Sequence, residues 1–314
     1  MTTIADPNKN GEALKKAAVQ GRSLWDDARI RLMRNKAAVT SIVILAVLIV
    51  LALIGSFPLI TEQIFNVRVT IWVHDFDTIY RDRVSIPPTL ENWHLLGTDA
   101  QGRDLLARNL VGLGVSLMVG IVATFVSLVI GVTWGAVAGF VGGRVDQIMM
   151  RIVDILYSLP FIFFVIILMV VFGRDIILIF VAIGAVEWLT MARIVRGQTL
   201  ALKKMEFVEA AEATGVSQWM IIQRHIIPNV LGPVVVYVTL MIPVVILAES
   251  FLSFLGLGVQ EPLTSLGRLI STGATDMEIA PWTLIVPAVT MMVTLFCLNF
   301  IGDGLRDAID PKDR

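Results

Sequence analysis

Side chains able to do covalent chemistry are sparse in this sequence, and none falls at a catalytic spacing. No Gly-Lys dipeptide occurs, so no Walker A loop can cradle nucleotide phosphates. There is no G-x-S-x-G nucleophile elbow and no H-E-x-x-H zinc helix. His74, His94 and His225 stand far apart in the chain, without acidic or cysteine partners at metal-ligand spacing. Cys297 is the only cysteine, so neither an intramolecular disulfide nor a multi-cysteine metal site is open to it. It lies in an apolar run and reads as a packed, inert thiol. These patterns predict a non-catalytic chain that binds no metal and no cofactor of its own.

Proton- or ion-coupled carriers place ionisable side chains within their apolar spans. Here only Asp154, Glu187 and Glu249 fall in or beside such runs, each near a run's end. Two roles stay open for them: capping or pairing with a nearby base, and lining or gating a path. No central cluster of acid and base is present, which argues against a self-contained channel or secondary transporter. The pattern suits a pore-forming part whose energy comes from elsewhere.

The richest polar region is the segment 193–229. Lys203 to Thr214 is predicted to form a short helix that Gly215 stops at its C′ position. Phe207, Ala210, Ala211 and Thr214 follow an i, i+3, i+4, i+7 spacing, and the small alanines would let another surface sit close. Glu206, Glu209 and Glu212 add charge around that face. Ser217 can cap a second helix running to about Ile226, and Pro228 and Asn229 lead into an apolar run. Two short helices joined at a glycine make a lever. An ordinary solvated loop is the plainer alternative.

The elements that would position this lever are read from apolar patterning. Of the 314 residues, 56% are hydrophobic and 16% charged, against roughly 25% charged in a soluble domain. Mean hydropathy is +0.80. Lipid is the solvent these values fit, and they exclude disorder. A net charge of −1 excludes a general nucleic-acid binder. A membrane-crossing helix needs about 20 mostly apolar residues. Six stretches qualify: 37–61, a span within 109–143, 155–173, 176–192, 226–248 and 279–302. The stretch 250–260 is too short to cross and reads as interfacial or re-entrant. The expected fold class is therefore an all-α polytopic membrane protein with six transmembrane helices. Its expected parts are an N-terminal segment 1–36, a first span 37–61, an external loop 62–110, a five-helix core 111–302 containing the lever, and a tail 303–314.

With six spans, 18 Lys and Arg residues fall on the side of the termini and 7 on the other. The positive-inside rule then predicts cytoplasmic termini. Ser23, Asp26, Asp27, Trp25, Ala28, Leu32 and Met33, with Arg29, Arg31, Arg34 and Lys36, suggest an amphipathic helix on the inner membrane surface, with a frayed tail as the plainer alternative. Gly131, Gly135, Gly139 and Gly143 recur every fourth residue, which predicts a close-packing helix face. Whether that face serves the chain itself or a partner subunit stays open.

The lever also carries a resemblance. Glu209-Ala210-Ala211, then Gly215 and His225-Ile226-Ile227-Pro228, resembles the EAA loop of ATP-binding-cassette importer permeases. The histidine departs from the general pattern and resembles the peptide-importer branch. Leu96 to Asp104, Glu249 to Gly258, Gly302 to Asp307 with Asp310-Pro311, and Gly21 to Trp25 resemble that branch too. The set is similar to C-type oligopeptide permeases, with the type I importer permease fold. The resemblance implies a homologous B-type permease partner, two ATPase subunits that use ATP and Mg, and an external peptide-binding protein. It also implies that the EAA-type loop is a coupling helix seated in an ATPase groove. The same architecture with dipeptide, glutathione, nickel chelate or peptide-antibiotic cargo is the nearest alternative. Loop 58–110 would either receive the binding protein or cap the external face.

Overall fold

A computed structural model describes residues 24–172 and 176–309. Readings that rest on Ser23, Arg174 or the tail from Asp310 lie outside the described residues. Those residues are helical apart from loops and one isolated bridge between Thr98 and Asp104.

Helix α1 (Leu24–Arg34) has Asp26 and Asp27 in its first turn and Arg31 and Arg34 in its last, each favourable to the helix dipole. Asn35 then caps α2 (Lys36–Phe65), accepting from Ala38 N at 3.2 Å. Thirty residues span about 45 Å, more than the roughly 30 Å of hydrocarbon a bilayer presents. Val43, Val47, Val50 and Leu53 of α2 are all more than half exposed, as a lipid-facing surface requires.

Residues 66–104 form an irregular folded cap, and Asp104 starts α3 (Leu105–Val141) by accepting from Ala107 N at 2.8 Å. Helix α3 is the hub of the molecule and packs on α6, α9, α2, α10 and α11, introduced below. Next come α4 (Gly143–Ser158) and α5 (Phe161–Phe172), bent by 90° relative to each other. The cause is local: Leu159 before Pro160 is extended, with ψ 132°, because proline excludes the helical conformation from its predecessor. The remaining helices are α6 (Ile176–Leu202), α7 (Glu206–Ala213), α8 (Gln218–Ile221), α9 (Ile227–Phe254), α10 (Leu266–Asp276) and α11 (Trp282–Ile309). A single π turn, Ile222–Ile226, joins α8 to α9.

The expectation of six spans is corrected by this architecture. Among the described residues, four helical runs are long and apolar enough to cross a membrane: α2, α3, Gln218–Phe254 and α11. They become at most five if the bent pair α4–α5 counts as one. The expected third span is broken at Leu159–Pro160, and the 12 residues of α5 reach only about 18 Å. The expected fourth span lies in α6, whose stretch from Phe180 onward carries Glu187, Arg193 and Arg196.

Contacts divide the molecule into two ends. At one end, Leu32 of α1 and Ala38 of α2 lie against Gly304 of α11, and Gly232 of α9 faces Ile309. The same end holds α7, whose Val208 packs in one cluster with Phe140 at the end of α3. At the other end, the cap meets the start of α11, where Trp282 Nε1 donates to Thr98 O at 3.1 Å. The lever end and the cap end therefore lie at opposite termini of α3 and α11.

Candidate functional site

The lever begins with two turns of bonding around Lys203. Its Nζ donates to Phe140 O at 2.6 Å, satisfying a carbonyl at the C-terminus of α3. Helix α7 then starts at Glu206, three residues later than the composition predicts, with extended Met205 before it. It ends in a Schellman motif: Val216 N donates to Ala211 O at 3.2 Å and Gly215 N to Glu212 O at 3.0 Å. Gly215 has φ +80° and open space where a Cβ would project, so backbone conformation alone requires glycine there.

The expected contact face splits in two. Ala211 is 8% exposed and packs inward with Val208, Ile221, Ile222 and Ile226. Phe207, Glu209, Ala210 and Thr214 remain exposed on the outer side of the helix. A small residue at 211 lets α7 lie close on its own chain, while a small residue at 210 leaves the outer surface low. Ile221 and Ile222 carry that packing into the π turn, which continues directly into α9 with Pro228 in its first turn. The lever is thus one body with a helix reaching the cap end.

Of the four spaced glycines, three line one contact within this chain. A Cβ at Gly131 would lie 2.6 Å from Met191 Cβ, at Gly135 2.9 Å from Arg196 N, and at Gly139 2.8 Å from Thr199 Cβ. All three positions face α6, so the absence of side chains sets the α3–α6 distance. Gly143 has φ +56° and meets nothing within 4 Å; it begins α4 and lies outside that seam.

The three singled-out acids part company. Asp154 pairs with Arg193 at 2.8 Å on an exposed surface. Glu187 is half-buried within α6. Glu249 is fully buried in α9, and hydroxyl groups of Ser253, Ser265 and Ser116 donate to its carboxylate at 2.6, 2.7 and 3.4 Å. Asp146 binds Arg196 through both carboxylate oxygens, tying α4 to α6.

The cap contains contacts that spacing concealed. His74 and His94 stack at 4.2 Å with an interplanar angle of 15°. Their partners assign the tautomers. Asp104 Oδ2 accepts from His94 Nδ1 at 2.9 Å, and Arg83 donates toward Nε2 at 3.3 Å. Asn92 O accepts from His74 Nε2 at 2.7 Å, and the Tyr80 hydroxyl lies 2.9 Å from Nδ1. Ligand atoms of His74, His94 and Asp104 lie within 4.8 Å of one another, yet near-parallel rings direct their lone pairs side by side rather than at one point. Hydrogen bonding already engages both rings, so the cluster locks the cap. Asp99 accepts from Arg103 Nε at 2.8 Å, and Arg103 Nη1 reaches Glu261 at 3.1 Å, joining the cap to loop 255–265. Arg68 gathers Asp77, Glu62 and Asp75, and these bonds hold its guanidinium pKa above the ordinary value. Asp104 ahead of an apolar helix is a visible cap signal, whereas nothing in the spacing foretells the His74–His94 stack or the serine set around Glu249.

Apolar helices surrounding a hub, four of them among the described residues long enough to cross a bilayer, define a multi-pass membrane protein. Comparison with known proteins gives the particular family. Residues 131–314 match the family model of the binding-protein-dependent transport system inner membrane component. Residues 23–81 match the N-terminal TM domain of oligopeptide transport permease C. The oligopeptide transport system permease protein OppC of Haemophilus influenzae is 53% identical over 305 residues, covering 96% of this chain and 93% of that protein. Its Escherichia coli counterpart is 53% identical over 310 residues, 98% of each. The dipeptide transport system permease protein DppC of Bacillus subtilis is 40% identical over 98% of this chain and 91% of its own. In fold, the chain matches one from inward-facing structures of the MetNI methionine ABC transporter, with TM-score 0.53 and 21% identity over 66% of this chain and 96% of that one. The chain belongs to the family of binding-protein-dependent transport system inner membrane components: it is an inner-membrane ABC importer permease subunit, not an enzyme.

Proposed function

We propose that this chain is the C-type half of an importer that moves oligopeptides inward across the inner membrane. A homologous B-type permease completes the path, two ATPase subunits using ATP and Mg dock at the lever end, and an external peptide-binding protein delivers cargo at the cap end. The lever end is cytoplasmic in this reading. Its concentration of Arg29, Arg34, Lys36, Lys203, Lys204, Arg224 and Arg306 supports that orientation.

The observation that carries the mechanism is the continuity of α7, the π turn and α9. Phe207, Glu209, Ala210 and Thr214 form the surface offered to the ATPase. Ala211 and Gly215 act from behind it, seating the helix and ending it. Closure of the ATPases on ATP moves α7 as a rigid body, and α9 carries the displacement toward the cap end. Different contacts of the lever in two states supply the coupling. Nearly full-length similarity to OppC proteins supports oligopeptides over the shorter or modified cargoes.

The test is Ala210→Arg, a change on the exposed side that leaves internal packing alone. Reconstituted with its partners, the variant is expected to assemble and to hydrolyse ATP while peptide uptake falls about ten-fold or more, a barrier change of ~1.4 kcal/mol. Uptake at the parental rate would remove the lever from the mechanism.

A further inference from the structure

We infer that Glu249 is a positioning residue that fastens the segment 255–276 to α3 and α9, so that movement of α9 reaches the cap end. The inference rests on the import reading for its functional half only.

Beyond Phe254 the chain does not leave the helical body. Loop 255–265 turns back inward, touching the cap on the way through Glu261 and Arg103. It then delivers the N-terminus of α10 to the level of Ser116, which is about 17 Å along α3 from Leu105. There Leu266 N donates to Ser116 Oγ at 3.0 Å. Ser265 Oγ accepts from Arg268 N at 3.1 Å, capping α10, and at the same time donates to Glu249. Ser253 belongs to α9 itself, and its hydroxyl lies 3.3 Å from that of Ser265. Gly267 passes so close to α9 that a Cβ would lie 2.8 Å from Ser250 Cβ. From there α10 returns outward, with Gly273 against the start of α11.

Glu249 joins three of these parts. Its carboxylate joins Ser116 of α3, Ser253 of α9 and Ser265 at the head of α10. A fully buried carboxylate without donors is severely unfavourable, so the site exists only while the three hydroxyls surround it. The positive end of the α10 dipole adds to this. Parting the segment from α9 would strand the carboxylate, which makes the segment and α9 move together. Neither the lever nor the cap touches this group, yet α9 links it to the first and loop 255–265 links it to the second.

Hydrogen-bond acceptance predicts a definite split between variants. Glu249→Gln keeps an acceptor for Ser253 and Ser265, and its amide can donate to Ser116. Glu249→Leu keeps the volume and removes every bond. Val259, 1% exposed in the loop, reports the position of the segment when changed to cysteine. The lone native thiol is removed by Cys297→Ser. The full transporter with all partner subunits is assembled in proteoliposomes. Three quantities are followed: labelling of Val259→Cys by a membrane-impermeant maleimide, basal ATP hydrolysis, and uptake of a tripeptide delivered by the binding protein.

Glu249→Leu is expected to label about ten-fold faster and to take up peptide about ten-fold more slowly, with basal hydrolysis within about two-fold of the parent. Glu249→Gln is expected to stay within about two-fold on all three. Parental labelling in Glu249→Leu overturns the inference, and so does a Gln variant as impaired as the Leu variant. Should Glu249→Leu fail to assemble, Ser265→Ala decides, with faster labelling expected and unchanged labelling overturning the inference. Labelling needs no cargo, so a parent transporter that moves no peptide would defeat the import reading and leave this test standing.

Discussion

Asp104 shows how one residue can hold two structures. One oxygen of its carboxylate caps α3 at Ala107 N, and the other accepts from His94 inside the cap. Asp104→Ala is expected to lose ~1–2 kcal/mol from the cap alone, more with His94 left unpaired. Thermal unfolding and hydrogen exchange at the start of α3 would register it. Glu261 gives a pH dependence at the same end. Burial raises its carboxyl pKa, but the hydrogen bond from Arg103 and the charges of Arg103, Arg108 and Arg268 outweigh it, and the net shift is below the ordinary 4.5. A folded-state value below the unfolded one stabilises at pH above the unfolded value. Attachment of loop 255–265 is therefore full near neutrality and weakens as pH falls below about 4.5 through the lowered folded value. Glu261 is half exposed, so the effect is screened and small. Hydrogen exchange in that loop should rise on acidification in the parent and show no such rise with Glu261→Gln. At this scale the sequence was partly readable. Asp104 announces itself by its place before an apolar helix, while its bond to His94 depends on how the cap folds back.

Elements were readable where period and punctuation agree. The glycine series at 131, 135 and 139 marks a packing face by spacing alone, and Gly215 marks the end of α7 because glycine adopts its φ of +80° without strain. Which partner meets the glycine face required the fold, since α6 is far along the chain from the first of them. Gly135→Leu places a side chain against Ala192 and Arg196 of α6, and a loss of about 1–3 kcal/mol is expected. Thermal stability of the purified transporter should fall, while a Leu at exposed Gly197, with nothing within 4 Å of its Cβ position, should be far milder. In two elements the fold divides what the spacing joins. A charge-free run through Pro160 looked like one span, but proline broke it into a 90° pair. The face of Phe207, Ala210, Ala211 and Thr214 looked continuous. On a helix of eight residues lying on a second surface, however, positions 208 and 211 turn inward and the others outward. The face of α1 divided likewise: Ala28 is buried and Leu32 lies against Gly304 of α11, while Met33 stays 60% exposed.

At the scale of the whole molecule, α3 is the fixed axis, α9 the link between two ends, and α2 a flank toward lipid. In the proposed reading the chain is one half of a path and has no route of its own for cargo. Purified chain alone in liposomes is therefore expected to pass no tripeptide, with or without ATP, and flux is expected only once the B-type permease, ATPases and binding protein are added. Tripeptide flux through the chain alone would point to a self-contained carrier instead. The sequence by itself determined the solvent and the class, and marked where α7 stops. Apolar fraction, charge placement and the Glu209-Ala210-Ala211…Gly215 spacing are local properties that survive without any knowledge of the fold. Only the tertiary structure decided the number of helices able to cross, the side of the lever that faces outward, the lock of His74, His94 and Asp104, and the serine set that surrounds Glu249. Each of those depends on groups distant in the chain being brought within about 3 Å, where burial and hydrogen-bond geometry rather than residue order determine what a side chain can do.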